Sequence, residues 1–323
     1  MISTDAATVD FANRITTPSK LLPFRLLGCI WRQAAFTPHC PTEPRLDGKL
    51  ALVTGGNAGI GLEISRGLAA RGAELVILAR NQTTASAARD AIASTTGATV
   101  HVVPLDLSDL ASVVRASERL PAILAGREID VLVANAGVAP AAYAVSAQGH
   151  ELAFATNTLG HHVLIRRLLD RGQLRGGRLV VVTGDIYIRS SECTSDFRYE
   201  GRSGGQMAYC RSKLGNLWFA AELVARYPAL HVCSVHPGVI ASGLMGERPS
   251  SGIGAMAQGA IMLDLVAGAQ APLFCATQPG IERGGYYHNT YGLLRHPLGD
   301  PAADAAKAAA LWARMEELGR EFL

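Results

Sequence analysis

Leu50-Ala51-Leu52-Val53-Thr54-Gly55-Gly56-Asn57-Ala58-Gly59-Ile60-Gly61-Leu62 runs from an apolar strand through a glycine turn into a helical pattern. Gly55, Gly59 and Gly61, with Asn57 and Ile60 in the same turn, let backbone N–H groups and a helix N-terminus approach a pyrophosphate, where the helix dipole favours negative charge. The theme repeats along the chain. Apolar runs predict strands near 50–54, 74–79, 99–103, 130–134, 178–183 and 231–235, and helical patterns fall near 60–71, 83–93, 109–120, 147–170 and 205–226. Such alternation predicts an α/β fold, a doubly wound parallel sheet with helices on both faces. Ligands of such sheets bind beyond the carboxyl ends of the strands.

A second motif is Tyr209-Cys210-Arg211-Ser212-Lys213. Residues four apart share a helix face. An ammonium beside a phenol favours the phenolate, and a phenol tuned that way can give a proton to a carbonyl oxygen or take one from an alcohol. The spacing alone arises often by chance; downstream of the glycine turn it reads as an acid/base pair.

Composition narrows the classes. Net charge is +3, aromatic residues make up 6% of the chain and its Lys and Arg residues are scattered, a pattern that predicts no nucleic-acid partner. The six cysteines at 29, 40, 193, 210, 233 and 275 form no Cys-x-x-Cys pair, so reduced thiols and a cytoplasmic setting are expected. His161 and His162 are adjacent and point to different faces of a helix, with His150 upstream, so no metal site is expected there.

The ordered set Thr54 to Gly61, Asn135-Ala136-Gly137, Asn157 and Tyr209/Lys213 resembles the short-chain dehydrogenase/reductase superfamily. Thr156-Asn157-Thr158-Leu159-Gly160-His161, Ala208-Tyr209-Cys210-Arg211-Ser212-Lys213-Leu214-Gly215-Asn216 and Val235-His236-Pro237-Gly238 are similar to its retinol-dehydrogenase-like and protochlorophyllide-reductase-like branch. The resemblance covers roughly residues 46–323. It implies a single Rossmann-fold oxidoreductase domain with a small substrate lid at about 240–265, preceded by an N-terminal extension at 1–45. It further implies a homo-oligomer paired through two long helices. Its cofactor contacts would be Asp106 and Leu107 after the third strand, Asn135, Ala136 and Gly137 after the fourth, Pro237 and Gly238 after the sixth, and Tyr209 with Lys213 at the nicotinamide. Asn157 would support the proton relay.

The second strand ends in Arg80-Asn81 with no acid. A carboxylate there would bond ribose hydroxyls and repel a phosphate, whereas a guanidinium holds a 2′-phosphate. The expected cofactor is therefore NADP(H) rather than NAD(H).

One expected residue is missing. The superfamily places a catalytic Ser after the fifth strand, but here Arg178-Leu-Val-Val-Val-Thr183-Gly184-Asp185-Ile186-Tyr187 offers Gly184, or Asp185 after a one-residue shift. Three readings stay open. Asp185 substitutes as a substrate contact, although an ionised carboxylate would oppose the Lys213 effect on the phenol. Alternatively Thr183, Tyr187, Ser190 or Ser191 serves from a shifted loop, or the site binds cofactor with little turnover. Reduction of a carbon–carbon double bond, which needs no Ser, is the other chemistry of the branch.

Flanking segments read separately. Lys20-Leu-Leu-Pro-Phe-Arg-Leu-Leu-Gly-Cys-Ile-Trp-Arg is an apolar cluster between cations, too short to span a bilayer. It reads as an arm packed on its own domain or on a neighbour, or as a peripheral membrane contact or flap over an apolar substrate mouth. A core helix is expected at 268–276 and an amphipathic surface helix over 301–321.

Overall fold

The computed structural model describes residues 11, 14–17, 28–29, 39–240 and 262–323. Strands β2 (Leu50–Thr54), β3 (Glu74–Ala79), β4 (Val100–Pro104), β5 (Val131–Ala134), β6 (Arg178–Val182) and β7 (His231–His236) stand within a residue or so of their expected places. Helices α1 (Gly59–Ala70), α2 (Gln82–Thr96) and α3 (Leu110–Leu124) follow the first three of these strands. The central strands are buried along their length because both sheet faces are covered, which is why they read as continuous apolar runs rather than alternating ones.

The helix expected over 147–170 starts later. Glu151 accepts N–H bonds from Ala153 and Phe154 and so opens a short α-turn, Leu152–Phe154. A π-helical turn follows at Ala155–Leu159, then α4 (Gly160–Asp170). The long helix α5 (Gly201–Arg226) carries Tyr209 and Lys213. Helix α6 (Leu265–Thr277) is capped by Asp264, whose side chain accepts from Ala267 N–H. The C-terminal tract forms α7 (Ala305–Gly319), capped by Asp304.

Three strands had no signal in the sequence: β1 (Ile15–Thr16), β8 (Tyr286–His288) and β9 (Gly292–Leu294). The sheet order is β1-β9-β8-β7-β6-β5-β2-β3-β4. Every pairing is parallel except β8 with β9. The strand order turns at β2, which lies between β3 and β5, so the crevice opens beside the carboxyl end of β2. One core layer packs α3, α4, α5 and α7 on the sheet and the other packs α1, α2 and α6.

The described residues of the N-terminal extension pack on the body. Ile15 and Thr16 pair with Leu293 and Leu294, Phe11 meets Phe274 edge-on at 4.9 Å, and Cys40 N–H donates to Gln270 Oε1. Apart from Gly28 and Cys29, the cluster at 20–32 lies outside the described residues, as does the expected lid between Ile240 and Met262. No helix among the described residues is long and apolar enough to cross a membrane.

Candidate active site

One cavity of about 750 Å³ lies at the carboxyl ends of the strands. Every cofactor residue expected from the sequence lines it: Gly55, Asn57, Gly59, Ile60, Gly61, Arg80, Asp106, Leu107, Asn135, Ala136, Gly137, Tyr209, Lys213, Pro237 and Gly238. Asp185 lines it too, whereas Asn157 stands one layer behind. A smaller groove of about 430 Å³ under α7 contains none of these residues.

The cradle fits a dinucleotide. A Cβ on Gly61 would lie 2.2 Å from the Gly55 carbonyl oxygen, and Gly55 has φ +66°, so neither position admits a side chain without strain. Asn81 caps α2 and Asp109 caps α3, but the N-cap of α1, Ala58, offers no side-chain acceptor. The first N–H groups of α1 thus face the cavity with the helix dipole behind them, ready for a phosphate. Asn135 Oδ1 and Thr156 Oγ1 are buried at the same cavity with no hydrogen-bond partner among the described residues.

A network that the motifs did not reveal ties these parts together. The Thr54 hydroxyl oxygen accepts from the N–H groups of Asn135 (2.9 Å) and Ala136 (3.0 Å) and donates to His161 Nε2 (2.9 Å). His161 Nδ1–H then donates to the Asn157 carbonyl at 3.0 Å. Complete burial lowers the His161 pKa to about 4 and keeps the ring neutral, as this acceptor-and-donor arrangement requires. Asn157 sits inside the π-helical turn. Its Oδ1 accepts from Val138 N–H at 2.7 Å, and its Nδ2 donates to the Val138 carbonyl and to Ser212 Oγ. The side chain thereby fixes the strap after Gly137 against α5.

Lys213 is buried, and its ammonium donates to the Val182 carbonyl at 3.1 Å. It lies 5.4 Å from the centre of the Tyr209 ring. The electrostatics differ from the sequence expectation. Burial raises the Tyr209 phenol above its ordinary value and lowers the Lys213 ammonium to about 8. Desolvation of both groups outweighs the attraction between ammonium and phenolate.

The region of the missing serine is now placed. An ideal Cβ on Gly184 would lie 3.8 Å from Tyr209 Oη and 3.6 Å from Lys213 Cγ, with nothing closer. Gly184 rather than Asp185 is therefore the position that faces the phenol. The Asp185 carboxylate accepts from Tyr286 Oη at 3.0 Å and lies 3.7 Å from His288 Nε2, while its own N–H donates to His236 Nδ1 at 3.2 Å. Three of the other hydroxyls considered are engaged elsewhere. Thr183 donates to the Lys213 carbonyl, Tyr187 to Asp300, and Ser190 to the Glu192 carbonyl; neither Ser190 nor Ser191 lines the cavity.

Cys29, His236 and His288 bring a thiol and two imidazoles within 4.8 Å of one another. A metal-bound imidazole nitrogen needs a free lone pair, with the other ring N–H donating. Here the Nδ1 atoms of His236 and His288 each accept a backbone N–H, from Asp185 and Thr290, so the protons sit on Nε2. Cys29 and His236 also line the cavity, contacts that no motif predicted.

A family model described as short chain dehydrogenase matches residues 49–251. Human retinol dehydrogenase 12 is 35% identical over 247 residues, covering 75% of this chain and 78% of that protein. Among solved structures, a blue fluorescent protein from a metagenomic library in complex with NADPH is similar, with TM-score 0.61 and 26% identity over 77% of this chain and 99% of that one. So is a short chain dehydrogenase from Burkholderia cenocepacia in complex with NADP, with TM-score 0.59 and 26% identity over 76% and 97%. This chain belongs to the short-chain dehydrogenase/reductase family, in its retinol-dehydrogenase-like branch. It is an oxidoreductase that uses a nicotinamide cofactor.

Two outcomes follow from this geometry. Gly184→Ser, with extended backbone at φ −160°, places a hydroxyl beside the Tyr209 phenol without strain. It is expected to raise kcat for simple ketones by about ten- to hundredfold, since a donor aimed at a reacting oxygen contributes on that scale or above; unchanged kcat would mean that another group already serves as donor. Affinity for the reduced dinucleotide, titrated by fluorescence, should fall as pH rises through about 8, where Lys213 loses its charge. The step should be absent in Lys213→Met.

Proposed function

We propose that the chain is an NADP(H)-dependent reductase acting on the carbonyl group of an apolar small molecule, with the alcohol oxidation as its reverse. One observation carries the reading: Tyr209 and Lys213 share a cavity with the uncapped N-terminus of α1 and with Pro237-Gly238. Nicotinamide, when bound, supplies or accepts the hydride, and the chain's part is binding, orientation and the proton. Residues 46–323 are the catalytic unit in this reading, with a lid at about 240–265.

Tyr209 is the acid/base. The phenol is protonated at neutral pH, the form that donates to a carbonyl oxygen, and burial makes it harder to ionise. Lys213, mostly charged at pH 7, holds the ribose hydroxyls and the Val182 carbonyl. Asn157 supports the relay by fixing the strap after Gly137. Asp185, held by Tyr286, contacts a polar group of the substrate. Gly55 to Gly61, Asp106, Leu107 and Asn135 to Gly137 hold the dinucleotide. Arg80 takes the 2′-phosphate: it follows β3, its side chain is 72% exposed, and it lies 3.9 Å from Asp106. Val138, Val182, Ile186, Val239, Ile240 and Met262 give the cavity an apolar wall, and a retinol dehydrogenase among the relatives agrees with an apolar substrate.

Gly184 favours a second reading, reduction of a carbon–carbon double bond, where no hydroxyl is needed beside the phenol. Binding with little turnover is a third. We place the chain in the cytoplasm, with the apolar cluster at 20–31 read as an arm packed on its own domain and a peripheral membrane contact as the alternative.

NADPH oxidation over a panel of apolar aldehydes, ketones and enones, with product analysis, tests the three readings. Carbonyl turnover should fall by about 10²- to 10⁴-fold in Tyr209→Phe, the usual share of a general acid. A panel no faster in the parent than in Tyr209→Phe supports the binding reading, and saturation of enones alone supports the second. Arg80→Ala should weaken NADPH binding by about ten- to hundredfold, the worth of a charge-assisted hydrogen bond, and leave NADH binding unchanged; equal loss for both would exclude the role of Arg80.

A further inference from the structure

The turn that follows β6 presents its side chains unequally. Asp185–Arg189 is a 3-10 turn, in which residues three apart eclipse one another. Ile186 and Arg189 are such a pair, and both line the cavity. Tyr187 faces inward, wholly buried, and donates to Asp300 at 2.9 Å, while Ile188 packs against the core. Backbone bonds pin the turn: Tyr187 N–H donates to the Gly184 carbonyl at 3.0 Å and Ser190 N–H to the Tyr187 carbonyl at 2.9 Å. The Arg189 side chain thus starts from a fixed platform, and its exposure sets it at the mouth of the cavity.

Among the described residues the charged side chains that line the cavity are Arg80, Asp106, Asp185, Arg189 and Lys213. Four of them have work already. Arg80 and Asp106 lie together beyond β3 and β4, 3.9 Å apart. Lys213 is buried against the Val182 carbonyl, and Asp185 is held by Tyr286 beside His288. Arg189 stands apart from all of these. It follows β6, which is separated from β3 by β5 and β2, about 14 Å at the usual strand spacing. One phosphate cannot bridge that span, so a cofactor phosphate held at Arg80 leaves Arg189 to another ligand. The charge of Arg189 is felt instead beside the acid/base. Burial lifts the thiol of Cys210, the residue after Tyr209, to about 11, and Arg189 opposes that rise.

The substrate end of the cavity therefore runs from the Tyr209 phenol along Ile186 and Val239 to a cation at the rim. A single guanidinium matches a carboxylate in charge and, through two parallel N–H bonds, in shape. A phosphate monoester would bring nearly two charges. We propose that Arg189 selects substrates that carry a carboxylate at the end remote from the reacting carbonyl, so that the substrate class is an apolar oxo acid. The reacting carbonyl rests on the reductase reading above; the carboxylate contact is a matter of binding and is measured without turnover.

Calorimetric titration of the full chain saturated with NADP⁺, using a long-chain oxo carboxylic acid and its methyl ester, tests this. The acid should bind tighter than the ester by about ten- to hundredfold, the worth of a charge-assisted hydrogen bond. Arg189→Gln should abolish the difference and leave the affinity for the ester unchanged. Arg189→Lys should keep part of the difference. Arg189→Glu should turn the preference toward the same chain ending in an ammonium group, a reversal that a merely structural role would not produce. Failure of the acid to bind overturns the proposal, as does equal binding of acid and ester to the parent, or a preference for the acid that survives Arg189→Gln. A preference for the acid that Arg189→Gln removes, in a chain that turns over no carbonyl compound faster than Tyr209→Phe, upholds the contact and overturns the reductase reading alone.

Discussion

The hydroxyl of Thr54 holds the site together. It takes two backbone N–H groups from the end of β5 and gives its own hydrogen to His161, which in turn fixes the carbonyl of Asn157. A single oxygen therefore sets the distance between the glycine turn, the Asn-Ala-Gly strap and the π-helical turn. These three pieces come from distant parts of the sequence, and nothing in the crevice is in register unless they meet. The network is buried and fully donor-matched, the condition under which polar groups in a core specify one arrangement instead of weakening it. The π-turn fits this role, since inserting a residue into a helix rotates the side chains after it and such insertions gather at functional sites.

Most of the frame was legible because its signals are long. Six parallel strands, all but β4 buried along most of their length, leave little freedom in the reading. The strands missed are of two or three residues. Tyr286-Tyr287-His288 and Gly292-Leu293-Leu294 are too short to display a period, and Ile15-Thr16 becomes a strand only because β9 presents an edge to it. The cofactor cradle was legible almost residue by residue, since close approach of backbone to ligand demands glycine at fixed positions and those glycines are visible. Cys29, His236 and Thr156 were not, because a side chain's entry into a cavity depends on tertiary direction rather than on local pattern.

The catalytic pair shows a different limit. The sequence places Tyr209 and Lys213 one helical turn apart and says nothing of how much water either retains. In the fold both lose most of it, so the phenol becomes harder to ionise rather than easier. The same gap explains the ambiguity over the serine. Gly184 and Asp185 are equivalent as letters after a strand, and backbone direction alone separates them: a side chain at 184 would face Tyr209, while Asp185 turns toward Tyr286 and His288.

The pairing of β1 with β9 also has a consequence for biosynthesis. Thr16 bonds the carbonyl of Tyr291, 275 positions away along the chain. A ribosome delivers the first of these long before the second, so Ile15 and Thr16 have no strand to join until nearly the whole sheet has been made, and long loop closure is slow. Cys29, which reaches the cavity from the same arm, is positioned late for the same reason. The cofactor residues all precede residue 239, so the whole cradle leaves the ribosome ahead of Leu293 and Leu294, the strand on which Ile15 and Thr16 settle.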